Sequence, residues 1–114
     1  MEKNRMSRRV AVTGIGMVTP LGIAKERFAQ ALFQGNSGIG EIAAFDTSRF
    51  PSRLGAEIQN FSPREIISAK NLRRMDRLSQ IAVASSRLAL EDANIIVNAA
   101  NRDRIGIILG TAFG

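Results

Sequence analysis

None of the 114 residues of this chain is cysteine and none is histidine. The first absence excludes disulfides, thiolate metal ligands and a cysteine nucleophile. The second removes imidazole, both as a metal ligand and as the commonest general base. An enzyme made from these residues alone would depend on Ser, Thr, Lys, Asp or Glu, and neither a catalytic set, a cofactor-binding set nor a metal-ligand set stands out. Tryptophan and tyrosine are missing too, so six phenylalanines carry all the aromatic surface. A long apolar run is also lacking: no segment has the ~20 consecutive apolar residues that cross a bilayer. The polar, basic opening "MEKNRMSRR" is not followed by the apolar core of a secretory signal. The expectation is a cytoplasmic protein with no membrane partner, in which residues 1–7 are a disordered leader.

What remains is a chain of ordinary apolar content, 45%, with room for one small domain. Its formal charge of +6 favours acidic partners at long range without choosing among them. Residues 9–13, "RVAVT", put two β-branched valines in a run that stops at Gly14, which predicts a short buried strand. In "IAKERFAQALFQG", Ala24, Phe28, Ala31 and Leu32 recur at helical spacing, and Gly35 suits the left-handed residue that ends a helix. Residues 36–62 are punctuated by Gly and Pro, with short strands expected near 42–45 and 54–58. So long a connection points to a functional loop or to an excursion that packs on something else. Ser62 and Pro63 read as N-cap and first helical residue, and Glu65 completes a capping box, for a short helix ending near Ala69. A longer helix is expected from about Leu72 to Ala93, with the small residues "AVASS" in its middle and Asn94 as terminator. The continuous apolar run "RIGIILG" predicts a strand covered on both faces. Two apolar strands joined by helices imply an α/β class with parallel pairing.

Three stretches invite a functional reading. Gly14-Ile15-Gly16 after a strand suggests a phosphate loop, but a dinucleotide fingerprint needs a third glycine where Thr19 stands. Pro20 would also fall inside the first turns of the helix that the fingerprint requires. No Lys-Ser/Thr pair follows for a P-loop, so a Gly-assisted turn is the better reading. The cluster "KNLRRMDR" sets Lys70, Arg73, Arg74 and Arg77 against Asp76. At spacings of three and four they share neighbouring parts of one helical face. That face is either a solvated helix end or a docking patch for an acidic partner. Nucleic acid is disfavoured, because no aromatic residue interleaves with the cations. "FDTSRFP" is a turn-rich loop with two Phe anchors, in which Asp46 can bond local amides.

Taken in order, "VAVTGIGMVTPLG", "LFQGNSGI", "FDTSRFP", "AEI", "RRMDR", "ALEDA" and "RIGIILGTAFG" resemble the N-terminal part of the β-ketoacyl-acyl carrier protein synthases. The resemblance covers about Arg8 to Gly114. It implies an incomplete N-terminal portion of a thiolase-like αβαβα fold, with residues 8–114 forming a partial domain that stops before the catalytic residues, and a homodimer in the full-length family. It implies decarboxylative Claisen condensation on acyl and malonyl thioesters carried by the phosphopantetheine of acyl carrier protein, in fatty-acid or polyketide synthesis. A cysteine and two histidines do that chemistry in the family, and this chain has neither, so the segment should be inactive alone and bind no cofactor itself. Lys70, Arg73 and Arg74 match the family's carrier-protein docking cations. Phe113 matches a position lining the acyl-chain pocket, where many members carry a smaller residue, and Ala112 stands where glycine is frequent. The alternative is a stand-alone, non-catalytic module that binds carrier protein or a ketosynthase. Either way, the segment by itself should expose a large apolar surface.

Overall fold

A computed structural model describes residues 9–112. Val18–Thr19 (β1) and Gly22–Ile23 (β2) pair antiparallel, with Val18 opposite Ile23. Between them Thr19-Pro20-Leu21-Gly22 is a tight turn. The Thr19 hydroxyl donates to the Gly22 carbonyl at 2.9 Å and accepts the Gly22 N–H at 3.2 Å, while proline presets the φ that such a turn needs. Thr19-Pro20 therefore turns the chain back before any helix begins.

The helix α1, Lys25–Phe33, ends as its glycine foretells. Gly35 has φ +70°, its N–H reaches the Leu32 carbonyl at 3.0 Å, and Asn36 N–H reaches Ala31 at 3.0 Å. This pair of reversed hydrogen bonds is a Schellman cap. The following excursion is a hairpin: Gly40–Glu41 (β3) pairs antiparallel with Leu54–Gly55 (β4). Its register is held by Glu57, whose carboxylate accepts the Ala43 and Ala44 N–H groups at 3.0 Å each. At its tip Asp46 accepts the Ser48 N–H at 2.9 Å, and the Phe45 and Phe50 rings meet edge to face.

The next helices differ from expectation. Ser62 stands at an N-cap position and Pro63 follows it, but no side-chain cap bond forms and the element is only a 3-10 turn, Pro63–Glu65. The capping box is thus not made. The single long helix expected from Leu72 is broken in two. A short α2 spans Ala69–Leu72, and α3 spans Arg77–Asp92. The break falls at Asp76, which leaves helical geometry so that its carboxylate can accept the Ser79 N–H at 2.7 Å. At the far end α3 closes on Asn94, with φ +54°, through a second Schellman cap in which Ile95 N–H reaches Leu90 and Asn94 N–H reaches Glu91. A 3-10 turn, Arg102–Arg104, precedes the last apolar run. No helix among the described residues is long and apolar enough to cross a membrane.

The core is small. Val18, Phe61 and Ala84 are buried together, with Ile23, Ile58, Ile66, Ile81 and Leu88 packed around them. The turn after residues 9–13 lies directly on α3. A Cβ on Gly14 would stand 2.3 Å from the Ala89 carbonyl oxygen, and one on Gly16 only 1.9 Å from that of Ser85. The two glycines therefore serve close approach to a helix backbone. Asp92, near the end of α3, fastens this contact by accepting the Ile15 N–H at 2.9 Å and the Lys25 ammonium.

The two apolar runs expected to pair as parallel strands do not do so among the described residues. Each flanks α3 from its own side of a hollow of about 540 Å³, lined by Thr13 and Gly14 on one side and Ile105 and Ile107 on the other. Val10, Val12, Ile107 and Ile108 are left highly exposed. The accessible surface, 10194 Å², far exceeds the roughly 6,100 Å² of a compact monomer of this mass. The large apolar exposure expected of the segment is thus present.

Candidate functional site

The basic cluster is displayed by a stretch anchored from behind. Phe61 and Ile67 are buried, one on each side of the 3-10 turn. Arg87 of α3 donates to the Ile66 carbonyl, and Arg77 donates to the Ile58 carbonyl at 3.2 Å with its guanidinium 4.9 Å from the Phe61 ring centroid. This is cation–π and hydrogen-bond clamping of the segment that carries the cluster. Arg77 stays exposed, but its guanidinium is engaged by Phe61 and the Ile58 carbonyl.

Lys70 lies in α2, Arg73 is its C-cap residue, and Arg74 follows, its N–H bonded to the Asn71 carbonyl at 3.0 Å. All three side chains are exposed, and none is ion-paired among the described residues. The nearest acid in sequence, Asp76, is engaged elsewhere. The Ser79 N–H holds its carboxyl below the usual carboxylate range, so it stays charged at the start of α3. Sequence spacing missed another exposed cation, Arg64, on the 3-10 turn. With Ala69, Leu72 and Arg73 it lines a depression of about 460 Å³. The signal available for it was an Arg set between two residues, Phe61 and Ile67, that both point into the core.

A second concavity of about 430 Å³ runs along α3 beside Ile107, Ile108 and Leu109, continuing the hollow described above, and is almost wholly apolar. Thr13 and Gly14 line the neighbouring hollow, and the first helix among the described residues begins only at Lys25, so these glycines do not open a helix as a phosphate loop does. Phe113, expected to line an acyl pocket, lies outside the described residues.

The solved structures that this mixed α/β segment resembles are ketosynthases, which have a thiolase-like fold. The segment superposes on a solved structure titled "The ishigamide ketosynthase/chain length factor" with a TM-score of 0.72 at 36% identity, over 78% of this chain and 22% of that one. It superposes on a β-ketoacyl synthase from Burkholderia phymatum with a TM-score of 0.68 at 33% identity, over 84% of this chain and 24% of the other. In sequence it is 39% identical over 111 residues to 3-oxoacyl-[acyl-carrier-protein] synthase 2 of Synechocystis sp.. That alignment covers 97% of this chain and 27% of the relative, so the chain spans about a quarter of the curated relative's length. Residues 7–114 match the family described as β-ketoacyl synthase, N-terminal domain, and the chain belongs to that family.

Proposed function

We propose that the chain supplies the carrier-protein docking surface of a 3-oxoacyl-acyl carrier protein synthase. The observation that carries this reading is the cluster Lys70, Arg73 and Arg74, three neighbouring exposed cations without ion-pair partners among the described residues. An acidic carrier protein meets such a patch by long-range attraction and is held in register by it. Each exposed pair contributes only ~0–1 kcal/mol, so the patch acts on encounter and orientation more than on residence time.

The complete enzyme, on this reading, condenses acyl and malonyl thioesters held on phosphopantetheine. A thiolate accepts the acyl group, and donors stabilise the negative charge that develops after decarboxylation. The 114 residues contain neither Cys nor His. These groups would then be contributed by sequence outside them, and the segment alone condenses nothing. Phe113 would narrow the acyl pocket, and the whole enzyme would act as a cytoplasmic homodimer. The same missing residues favour a second reading, a non-catalytic module that binds carrier protein without turnover.

The test is equilibrium binding of the 114-residue chain to fluorescently labelled holo-acyl carrier protein at low ionic strength. Reversing all three charges, Lys70→Glu, Arg73→Glu and Arg74→Glu together, should weaken binding by about 10- to 100-fold. Raising the salt should weaken the wild type in the same direction. Unchanged binding by the triple variant overturns the proposal. The two readings separate on the gene product as the cell makes it: condensing activity supports the synthase, and binding without activity supports the module.

A further inference from the structure

The depression beside α2 is flanked by guanidinium groups from two different elements, Arg64 of the 3-10 turn and Arg73 at the end of α2, with Ala69 and Leu72 completing its lining. The neighbouring arginines Arg77 and Arg87 are both spent on main-chain carbonyls. Arg64 and Arg73 have no ion-pair partner among the described residues. Glu65, next to Arg64 in sequence, does not line the depression. The turn that carries Arg64 is fixed between buried Phe61 and Ile67, so its main chain is already ordered before any partner arrives.

Two arginines from neighbouring elements, lining one depression, suit a ligand that offers two carboxylates. A helix presents that pattern at spacings of three and four residues. Building on the docking role proposed above, we infer that Arg64 is a fourth docking residue. At the depression it shares with Arg73, acidic side chains of the carrier protein meet the two arginines.

The experiment uses the same labelled holo-acyl carrier protein and the 114-residue chain, with far-UV circular dichroism showing that each variant keeps its helix content. Arg64→Glu should weaken binding about 3- to 10-fold and Arg64→Ala less, while Arg64→Lys restores most of it. Arg64→Glu combined with Arg73→Glu should lose less than the product of the single effects, because both face one ligand. If the triple variant of Lys70, Arg73 and Arg74 loses binding but Arg64→Glu and Arg64→Ala match the wild type, this inference fails and the docking role stands. If the triple variant binds normally, or the wild type does not bind at all, both fail.

Discussion

Replacing Gly16 with alanine tests whether the glycine turn exists for packing. The added methyl would sit 1.9 Å from the Ser85 carbonyl oxygen and 2.5 Å from the Ala89 amide nitrogen. Both obstacles are helix backbone, so no side-chain rotation relieves them. Ordinary contact begins at about 3.4 Å, so the turn must retreat from α3 by about 1.5 Å. That retreat draws the Ile15 N–H away from Asp92, which now accepts it at 2.9 Å. Overpacking of this kind costs ~1–3 kcal/mol, and an obstacle made of main chain puts Gly16→Ala at the upper end, about 3 kcal/mol. In a chain with so small a core that is a large share of its stability, equivalent to a fall in Tm of roughly 10 °C or more. The assay is thermal and urea unfolding followed by far-UV circular dichroism. Gly40→Ala serves as control, because a Cβ there meets nothing within 4 Å, and it should shift stability by no more than ~0.5 kcal/mol. Ala89→Gly should not rescue Gly16→Ala, since the offending atoms at that residue are main chain. If Gly16→Ala unfolds with the same midpoint as Gly40→Ala, the close-approach explanation is wrong and the glycines need another.

Acid should loosen both ends of α3. The Ser79 N–H lowers the pKa of Asp76, and Lys25, then the Ile15 N–H, lower that of Asp92. The stability these groups contribute is present above the unfolded aspartate pKa, ~3.9, and is lost as pH falls through their lower folded values. Tm should therefore be flat near pH 6 and fall below about pH 4, and Asp76→Asn should lower Tm at pH 6 and flatten the acid limb; parallel profiles for variant and wild type would refute this. Ala24 has φ +68° and ψ 155°, a conformation suited to glycine. Such strain is worth ~1–3 kcal/mol, so Ala24→Gly should raise the melting temperature by a few degrees even after glycine's entropic cost. A lower melting temperature contradicts the strain. If Phe113 has the pocket role proposed above, Phe113→Ile in a complete synthase should speed elongation of long acyl chains relative to short ones, because isoleucine is the smaller side chain. Equal rates for the two enzymes on long chains would remove Phe113 from the pocket.

The parts of the molecule that were legible in the sequence are those whose causes are local. Gly35 and Asn94 end helices because each can enter the left-handed region, and both are placed where the apolar periodicity stops. Arg77 shows where locality fails. Spacing gives it to the basic face, but Asp76, which reads as one acid among cations, ends α2's path by capping α3. Arg77, at the start of α3, remains exposed but contacts Phe61 and the Ile58 carbonyl, while Lys70, Arg73, Arg74 and, from an earlier turn, Arg64 are exposed without ion-pair partners among the described residues. The glycines of "VTGIGMVTPLG" obey the same division. The turn chemistry of Thr19 and Pro20 is local and argues against a phosphate loop on its own. The reason for Gly14 and Gly16 lies about seventy residues away, on the backbone of α3, and shows only once the chain is folded. Strand pairing is the most distant of these effects. Residues 9–13 and 104–110 have strand composition, yet a strand needs a neighbour whose main chain comes within ~5 Å. Here residues of both runs line one hollow beside α3 without pairing, so composition alone does not make a sheet.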